Sequence, residues 1–278
     1  MAEGRLDKKW LFDSDLTQGY SKVRQEFIAE FLGSVRHQIE LASALDLGCG
    51  VGHFSKFLLD RGFSVVAIDG REENVKEGQR RYPEITFLAK NVEDPALYEI
   101  GTFDFVLCVG LLYHLENPFR AIRNLYSVTS KLLLIESMCV PGLDPTMDLL
   151  DEGPGEDQGL NSVAFYPSEP CLIKMLYRAG FPFVYGFDWP PEDAQFSTTL
   201  WRKRSRTFLV ASKVALTANN LLLAKEPIRA VPGSSDPWST TLSRFRSFWA
   251  AKMSRLAFLI KRSYKKVDSI LSVGSSAK

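Results

Sequence analysis

The sequence predicts an α/β protein with a doubly wound, mostly parallel sheet, and two features lead to this prediction. Short apolar runs rich in branched side chains alternate with helical segments between about residues 44 and 137. Strands buried on both faces have this composition, and intervening helices give a parallel sheet with right-handed crossovers. A glycine-rich turn also follows the first of these strands. We therefore predict a Rossmann-like sheet of seven strands, with an N-terminal helix before it and a basic helical extension after it.

The individual elements follow from hydrophobic periodicity and from helix start and stop signals. An N-terminal helix is predicted over residues 20–39. The predicted strands are 44–48, 64–69, 85–89, 103–109, 132–135, 183–187 and 206–212, and the helices between them are 51–61, 72–82, 118–128 and 168–179. Gly62 and Gly180 mark helix ends, whereas Pro118 marks a helix start.

Residues 138–167 interrupt this alternation with four prolines and six acidic residues. A stretch of this length without regular structure is usually functional or disordered. We predict a lid or substrate loop over the edge of the sheet. We predict one domain over residues 1–213, followed by a linker and a basic amphipathic helical tail over 214–278.

The composition excludes several classes of protein. The chain has 278 residues, 45% of them hydrophobic, and contains no run of eighteen apolar residues that would span a membrane. The polar start MAEGRLDKKW does not resemble a secretory signal. The four cysteines are scattered without a CxxC pair, so no metal site and no disulfide framework is expected. A cytoplasmic protein with reduced thiols is the expectation.

The overall charge of +1 conceals an asymmetry between the two parts of the chain. Residues 1–199 contain 18 Lys and Arg against 30 Asp and Glu, whereas residues 200–278 contain 16 against 3. The tail is predicted to be helical from Thr241, with one apolar stripe. Three partners are compatible with such a helix: the acidic body or another protein, an anionic membrane surface at the inner membrane face, or RNA.

The strongest motif is the turn Asp46-Leu-Gly48-Cys49-Gly50-Val-Gly52 between a strand and a helix. Glycines allow a tight turn and a close approach of the backbone to a ligand, and small Cys49 fits the same turn. A dinucleotide fingerprint would read GxGxxG. Here the spacing is GxGxG and a carboxylate lies at the strand end, which would repel a pyrophosphate and attract an amine or a sulfonium. The motif therefore favours S-adenosylmethionine.

Polar residues at the ends of the next two strands complete the predicted nucleoside site. Asp69 ends the strand in VVAIDG, about twenty residues after the turn, where a carboxylate accepts hydrogen bonds from ribose hydroxyls. Gly70 follows it. Asn91 and Val92 follow the third strand and are predicted to read the edge of the adenine.

The fourth strand ends in CVGLLYHL, on the side of the sheet where ligands bind in doubly wound folds. Gly110 would let the backbone approach the cofactor. Tyr113 and His114 would face the substrate. His114 is the candidate general base, because imidazole changes its charge near neutral pH, although a buried packing role is equally compatible.

Other residues also have plain structural interpretations. Asp46 could cap the helix after the turn, and Asp69 could be a solvated acid at a strand end. His53 at the helix start is more typical of capping or packing than of chemistry. Tyr20 and Arg24 could close over the methionine carboxylate or simply lie on a surface helix.

Together these motifs resemble class I S-adenosylmethionine-dependent methyltransferases over roughly residues 20–213. DLGCGVGHFS, AIDGREENV, FDFVLCVGLLYHLENP and YPSEPCLIKMLYRAGF look like a bacterial subgroup related to wobble-uridine tRNA-modifying methyltransferases, and similar sequences occur in surface-glycan pathways. The resemblance implies that Asp46, Gly48, Gly50 and Gly52 hold the methionine part of the cofactor and that Asp69 holds the ribose. Asn91 stands where the family often has Asp.

The expected function is S-adenosylmethionine-dependent O-methylation of a glycan or another small-molecule hydroxyl. One alternative is a methyltransferase or carboxymethyl-type transferase acting on RNA. The resemblance implies that such tRNA enzymes use an altered cofactor and need a basic pocket for its extra carboxylate. A second alternative is a cofactor-binding subunit without catalysis.

Overall fold

The computed structural model describes residues 10–151, 159–160, 163–188, 190–196 and 205–228. The chain divides into two compact units, Met1–Pro227 and Ile228–Lys278, and nearly all of the described residues belong to the first. The tail helix predicted from Thr241 lies outside the described residues. Its partner therefore stays a prediction.

The elements are ten strands and five α-helices. The strands are β1 (Ser43–Leu47), β2 (Ser64–Asp69), β3 (Thr86–Ala89), β4 (Phe103–Val109), β5 (Thr129–Cys139), β6 (Met147–Asp151), β7 (Val163–Pro167), β8 (Phe183–Phe187), β9 (Ser205–Ser212) and β10 (Leu221–Leu223). The helices are α1 (Asp15–Val35), α2 (His53–Leu59), α3 (Glu72–Arg81), α4 (Pro118–Val128) and α5 (Glu169–Ala179). Short 3-10 helices lie at Leu11–Asp13, Pro95–Ile100, Leu112–His114 and Ala194–Phe196. These counts refer to the described part of the chain.

The main sheet has the strand order β10-β8-β9-β5-β4-β1-β2-β3. Strands β3, β2, β1, β4 and β5 run parallel, whereas β9, β8 and β10 join as antiparallel neighbours. The chain leaves β1 toward β2 on one side and later returns to β4 on the other. This doubly wound order confirms the predicted fold class, and it places a topological switch point between β1 and β4, where ligands bind in such folds.

The N-terminal helix begins and ends earlier than predicted, at Asp15–Val35, β5 is longer than predicted, and two predictions about strand pairing were wrong. The main sheet has eight strands rather than seven, because the short segment Leu221–Leu223 pairs with β8 in the stretch predicted as a linker. Residues 138–167 are not one irregular loop, because β6 and β7 pair in antiparallel register from Met147 opposite Pro167 to Asp151 opposite Val163. Both corrections concern strands that form through pairing with a neighbouring strand. Their own sequences do not show the pattern of a strand.

The sheet buries side chains on both faces. Helices α4 and α5 cover one face, with Leu45, Val106 and Ile122 among the fully buried residues there. Helices α1 and α2 cover the other face, where Phe31 and Phe105 are fully buried. Each such side chain contributes about 1.5–3 kcal/mol on burial. The two cores hold the carboxyl ends of β1, β2, β4 and β5 at one edge, and this edge carries the predicted site.

Within the described ranges, no helix is both long and apolar enough to cross a membrane.

Candidate active site

The glycine turn after β1 has the backbone conformation that its sequence demands. Gly48 and Gly50 have φ angles of 67° and 54°, in the left-handed region that glycine adopts without strain. The amides of Gly48 and Cys49 donate to the carbonyl of Ile68 at 2.9 and 3.0 Å, which ties the turn to β2. The turn thus presents its backbone at the switch point of the sheet.

Both glycines are also closely covered. A Cβ atom added at Gly48 would lie 2.9 Å from Leu111 Cδ1, and one added at Gly50 would lie 2.8 Å from the ring of Phe12. Any larger residue at these positions would therefore displace Leu111 or Phe12. Gly48 lines the cleft described below, whereas Gly50 lies beneath Phe12.

Gly52 has a different role from the other two glycines. Its φ angle is 94°, and an added Cβ would lie 2.7 Å from the ring of Phe87 on β3. The residue allows helix α2 to begin against β3 and its neighbour Tyr82. The packing against Phe87 explains why a glycine is needed at this position.

Asp69 organises the turn from the end of β2. Its Oδ2 accepts the Gly50 amide at 2.9 Å, and its Oδ1 accepts the Arg71 amide at 2.9 Å and the Asn74 side-chain amide at 3.0 Å. Burial raises the pKa of this carboxyl, and the two backbone hydrogen bonds oppose that rise. A carboxylate offers about four acceptor positions. Three are in use, so there is room for one ribose hydroxyl rather than for both.

Asp46 lies beneath the turn and is only 2% exposed. Its Oδ2 accepts the Ser55 hydroxyl at 2.6 Å. Because Ser55 is in the first turn of α2, this hydrogen bond ties the carboxylate of Asp46 to the start of that helix. Burial raises its pKa to about 7, against the effect of the Ser55 hydroxyl.

An open cleft lies beside the turn. Of the predicted cofactor residues, it is lined by Gly48, Asp69, Gly70, Asn91 and Val92. The amide oxygen of Asn91 already accepts the backbone N–H of Glu93 at 2.9 Å, so this side chain would meet an adenine through its NH2 group. The cleft thus brings together the nucleoside half of the predicted site.

The segment after β6 reaches the mouth of this cleft. Leu160 packs on Gly70, where an added Cβ would meet its Cδ1 at 2.9 Å, and Arg71 Nη2 donates to the Gly159 carbonyl at 2.6 Å. Gly159 and Leu160 both line the cleft. Part of the segment predicted as a lid therefore contacts the cofactor side of the protein.

His114, which follows β4, lines the same cleft. His114 ends the 3-10 helix Leu112–His114, and its ring lies 4.2 Å from that of Tyr113, centroid to centroid. Gly110 has a φ angle of 73° but lies next to buried polar groups rather than in the cleft: an added Cβ would be 3.9 Å from the Tyr113 hydroxyl and 4.0 Å from Glu136 Oε2.

Those buried groups belong to a cluster in which the sequence indicated Arg24 and Tyr113 as candidates but not Glu136 or Arg206. Glu136 is fully buried near the end of β5, and its Oε1 accepts Arg206 Nη1 at 2.9 Å. Arg206 also donates through Nη2 to the Tyr113 hydroxyl at 3.1 Å and through Nε to Gln195 Oε1 at 3.1 Å. Arg24 approaches from α1, with its Nε 3.8 Å from Glu136 Oε2. We refer to Arg24, Tyr113, Glu136 and Arg206 as the buried charge cluster.

Two observations make this cluster a candidate for ligand contact. Arg24 Nε and Glu136 Oε2 are buried without a hydrogen-bond partner, which is costly unless something else satisfies them. Two guanidinium groups against one carboxylate also leave a net positive charge. A signal was present in the sequence: Glu136 is a charged residue directly after the apolar run LLLI. Arg24, predicted as either a site residue or a surface residue, is buried at 8% exposure.

Cys49 does not line the cleft, and burial raises the pKa of its thiol well above the ordinary value. Its thiol is therefore protonated at neutral pH and acts as a small filler of the turn. Among the described residues, no group of three or more His, Cys, Asp or Glu side chains could hold a metal ion.

A methyltransferase domain family matches residues 45–132 of this chain. The matched stretch runs from β1 into β5 and includes the glycine turn, Asp69 and His114.

Two kinds of curated relatives match the chain. A ubiquinone biosynthesis O-methyltransferase of Xanthomonas oryzae is 36% identical over 126 residues, covering 42% of this chain and 50% of the relative. A tRNA U34 carboxymethyltransferase of Tolumonas auensis is 27% identical over 205 residues, covering 69% of this chain and 57% of the relative. The chain spans about half the length of the curated relatives it matches.

Solved structures share the fold. The N-terminal domain of EvdMO1 with SAH bound superposes with a TM-score of 0.58 at 20% identity, covering 72% of this chain and 84% of the other. Magnesium protoporphyrin IX methyltransferase from Synechocystis PCC 6803 gives a TM-score of 0.50 at 19% identity, covering 77% and 90%. Residues 45–132 thus match a methyltransferase domain, and the chain shares its fold with these solved structures.

Proposed function

We propose that this chain transfers the methyl group of S-adenosylmethionine to an oxygen of a small-molecule acceptor, such as a glycan hydroxyl. The observation that carries the proposal is the Gly48–Gly50 turn, which Asp69 holds open onto a cleft at the switch point of the sheet. The relatives named ubiquinone biosynthesis O-methyltransferase favour an oxygen acceptor, and their matches cover 42% of this chain.

The residues of the cleft fit this cofactor. Gly48 and Gly70 line the cleft beside Asp69, and the absence of a side chain at each leaves room for Leu111 and Leu160. Asp69 would accept one ribose hydroxyl. Val92 is buried and would pack against the adenine, beside the amide of Asn91. The sulfonium of the bound cofactor supplies an activated methyl group, and the protein orients it.

The buried carboxylate of Asp46 fits a cationic ligand. It is isolated from solvent, and its pKa of about 7 leaves it partly protonated at neutral pH. A positive charge in the methionine part of the cofactor would favour its ionised form. A pyrophosphate in the same place would disfavour it, which argues against a dinucleotide.

The acceptor would enter beside His114. Methyl transfer needs the attacking oxygen in line with the departing sulfur, and much of the rate enhancement comes from this orientation. A neutral hydroxyl must also lose its proton. His114 lines the cleft and is the candidate to take that proton.

The test begins with the cofactor. Isothermal titration should show S-adenosylhomocysteine binding to the full-length protein with a Kd of about 1 µM to about 10 µM, a range of roughly −7 to −8 kcal/mol. The Asp69→Ala variant should lose this binding. No heat of binding to the wild-type protein at millimolar ligand would end the proposal. Turnover is then measured with panels of phenolic and glycan hydroxyl acceptors.

A second candidate is a carboxymethyl-type transferase acting on RNA, and the buried charge cluster favours it. The net positive charge of Arg24 and Arg206 against Glu136 fits a carboxylate added to the transferred group. A carboxylated cofactor should then bind more tightly than S-adenosylmethionine itself, and tRNA should bind with a steep salt dependence. Equal or weaker binding of the carboxylated cofactor would exclude this candidate.

A further inference from the structure

The short 3-10 helix Leu11–Asp13 lies directly on the glycine turn. Two ring atoms of Phe12, Cε1 and Cζ, are 2.8 Å from the position that a Cβ of Gly50 would occupy. Gly50 is buried, although it belongs to a turn at the ligand-binding edge of the sheet. Phe12, which lies about thirty residues before β1, thus forms a wall of the predicted methionine site.

A network of ionic hydrogen bonds fixes Phe12 in this place. Asp13 accepts two hydrogen bonds from Arg81 at the end of α3, at 2.8 Å from Nη1 and 2.7 Å from Nη2. His53, the first residue of α2, lies with its Nε2 3.0 Å from Asp13 Oδ1. Gln18 donates to the Phe12 carbonyl at 2.7 Å. Paired, parallel hydrogen bonds of the Asp13–Arg81 type fix orientation as well as position.

Arg81 is itself held in the orientation that this contact needs. Its Nε donates to Glu77 Oε1 at 2.7 Å, one turn earlier on α3. The Arg81 side chain is 17% exposed and that of Asp13 is 35% exposed. The charged and titratable groups around the pair are therefore Glu77 and Arg80 on α3 and His53 on α2.

We propose that Phe12 is a cofactor-positioning residue and that the Asp13–Arg81 pair is the latch that holds it over the turn. The inference rests on the proposed function, because it assigns Phe12 to the methionine end of the S-adenosylmethionine site. With the latch closed, the ring shields the Gly48–Gly50 backbone from water. Release of the cofactor from this end then requires the N-terminal segment to move.

The latch predicts a change in the dissociation rate. The test measures Kd and the dissociation rate constant of S-adenosylhomocysteine on the full-length protein by surface plasmon resonance. A partly exposed pair changes an equilibrium by up to about fivefold, so Arg81→Ala should speed dissociation by about that factor. Phe12→Ala should do the same, whereas Phe12→Leu, which keeps an apolar cover, should stay close to the wild-type rate.

Arg80→Ala is the matched control. Arg80 precedes Arg81 on the same helix and pairs with Glu77 at 2.8 Å, but its side chain is 72% exposed. Its replacement should leave dissociation within about twofold of wild type. Asp13→Asn, alone and combined with Arg81→Ala, completes a double-mutant cycle. If the two residues form one latch, the double variant should dissociate no faster than the faster single variant.

The outcomes separate the latch from the proposed function. Failure of the wild-type protein to bind S-adenosylhomocysteine would overturn the function. Normal binding together with wild-type dissociation rates in Arg81→Ala and Phe12→Ala would overturn the latch and leave the function standing. Equal acceleration in Arg80→Ala and Arg81→Ala would also overturn it, because the effect would then come from α3 in general. Thermal unfolding without ligand identifies a variant that is misfolded, and Asp13→Asn then replaces it.

Discussion

Replacing Arg206 by Met should destabilise the protein strongly, because it leaves the carboxylate of Glu136 buried without its main partner. Glu136 is fully buried, and Arg206 Nη1 lies 2.9 Å from its Oε1. Removing one partner of a buried ion pair typically costs about 3–5 kcal/mol. Arg24 Nε is already 3.8 Å from the other carboxylate oxygen and can move toward it. The lower end, about 3 kcal/mol, is therefore the expected loss in the free energy of unfolding.

Urea unfolding followed by circular dichroism measures this loss, and thermal unfolding provides a second readout. For a domain of this size, about 3 kcal/mol corresponds to a decrease in Tm of roughly 6–12 °C. Arg178→Met is the matched control, because Arg178 pairs with Glu226 at 2.6 Å but is 63% exposed. Its effect should stay below about 1 kcal/mol.

The double variant Arg206→Met with Glu136→Gln decides whether the cause is the unpaired charge. Removing the charge together with its partner should recover more than half of the lost stability, because neutral replacements of buried pairs are often tolerated. A loss below about 1 kcal/mol in Arg206→Met, or a double variant that is no more stable than the single one, would refute the reasoning.

The remaining predictions concern Asp46 and His114. Burial raises the pKa of Asp46 to about 7 in the folded protein, above its unfolded value of about 4. The stability that this group contributes is therefore complete below about pH 4 and is lost as the pH rises toward 7. In urea unfolding at several pH values, Asp46→Asn should lack this loss, and a wild-type curve parallel to that of the variant would contradict the assignment. Binding of S-adenosylmethionine should tighten between pH 5.5 and 7, by at most about tenfold per pH unit, because the cationic cofactor favours the ionised carboxylate. His114→Ala should lower kcat by about 10²-fold or more if His114 is the general base, with cofactor affinity unchanged in titration. Turnover within a few-fold of wild type would leave His114 with a packing role.

The elements that the sequence predicted best are those whose signal is local. The bounds of β2, β4, β8 and α4 agree residue for residue with the prediction, because branched apolar runs, an N-terminal proline and periodic side chains all lie within the element. The short β10 was missed. A segment of three residues is too short to show a hydrophobic pattern. Leu221–Leu223 is a strand only because it pairs with β8.

The candidate site shows the same division. The glycine turn and Asp69 lie within one strand-turn-helix-strand unit, so spacing and residue type were enough to place them together. The structure adds contacts that the spacing did not indicate: Asp46 accepts the Ser55 hydroxyl of α2, and Gly52 packs on Phe87.

The sequence by itself determined the class of the fold and the location of the cofactor turn, since both follow from periodicity and from backbone freedom at a few glycines. Only the tertiary structure revealed the contacts across long separations in the chain. Arg206 meets Glu136 across 70 positions, and Arg81 meets Asp13 across 68. The physical reason is that the position of a charged residue in the sequence does not determine which opposite charge it pairs with. The packing of the two cores decides which charges meet, and in this protein it brings them to the edge of the sheet where the cofactor would lie.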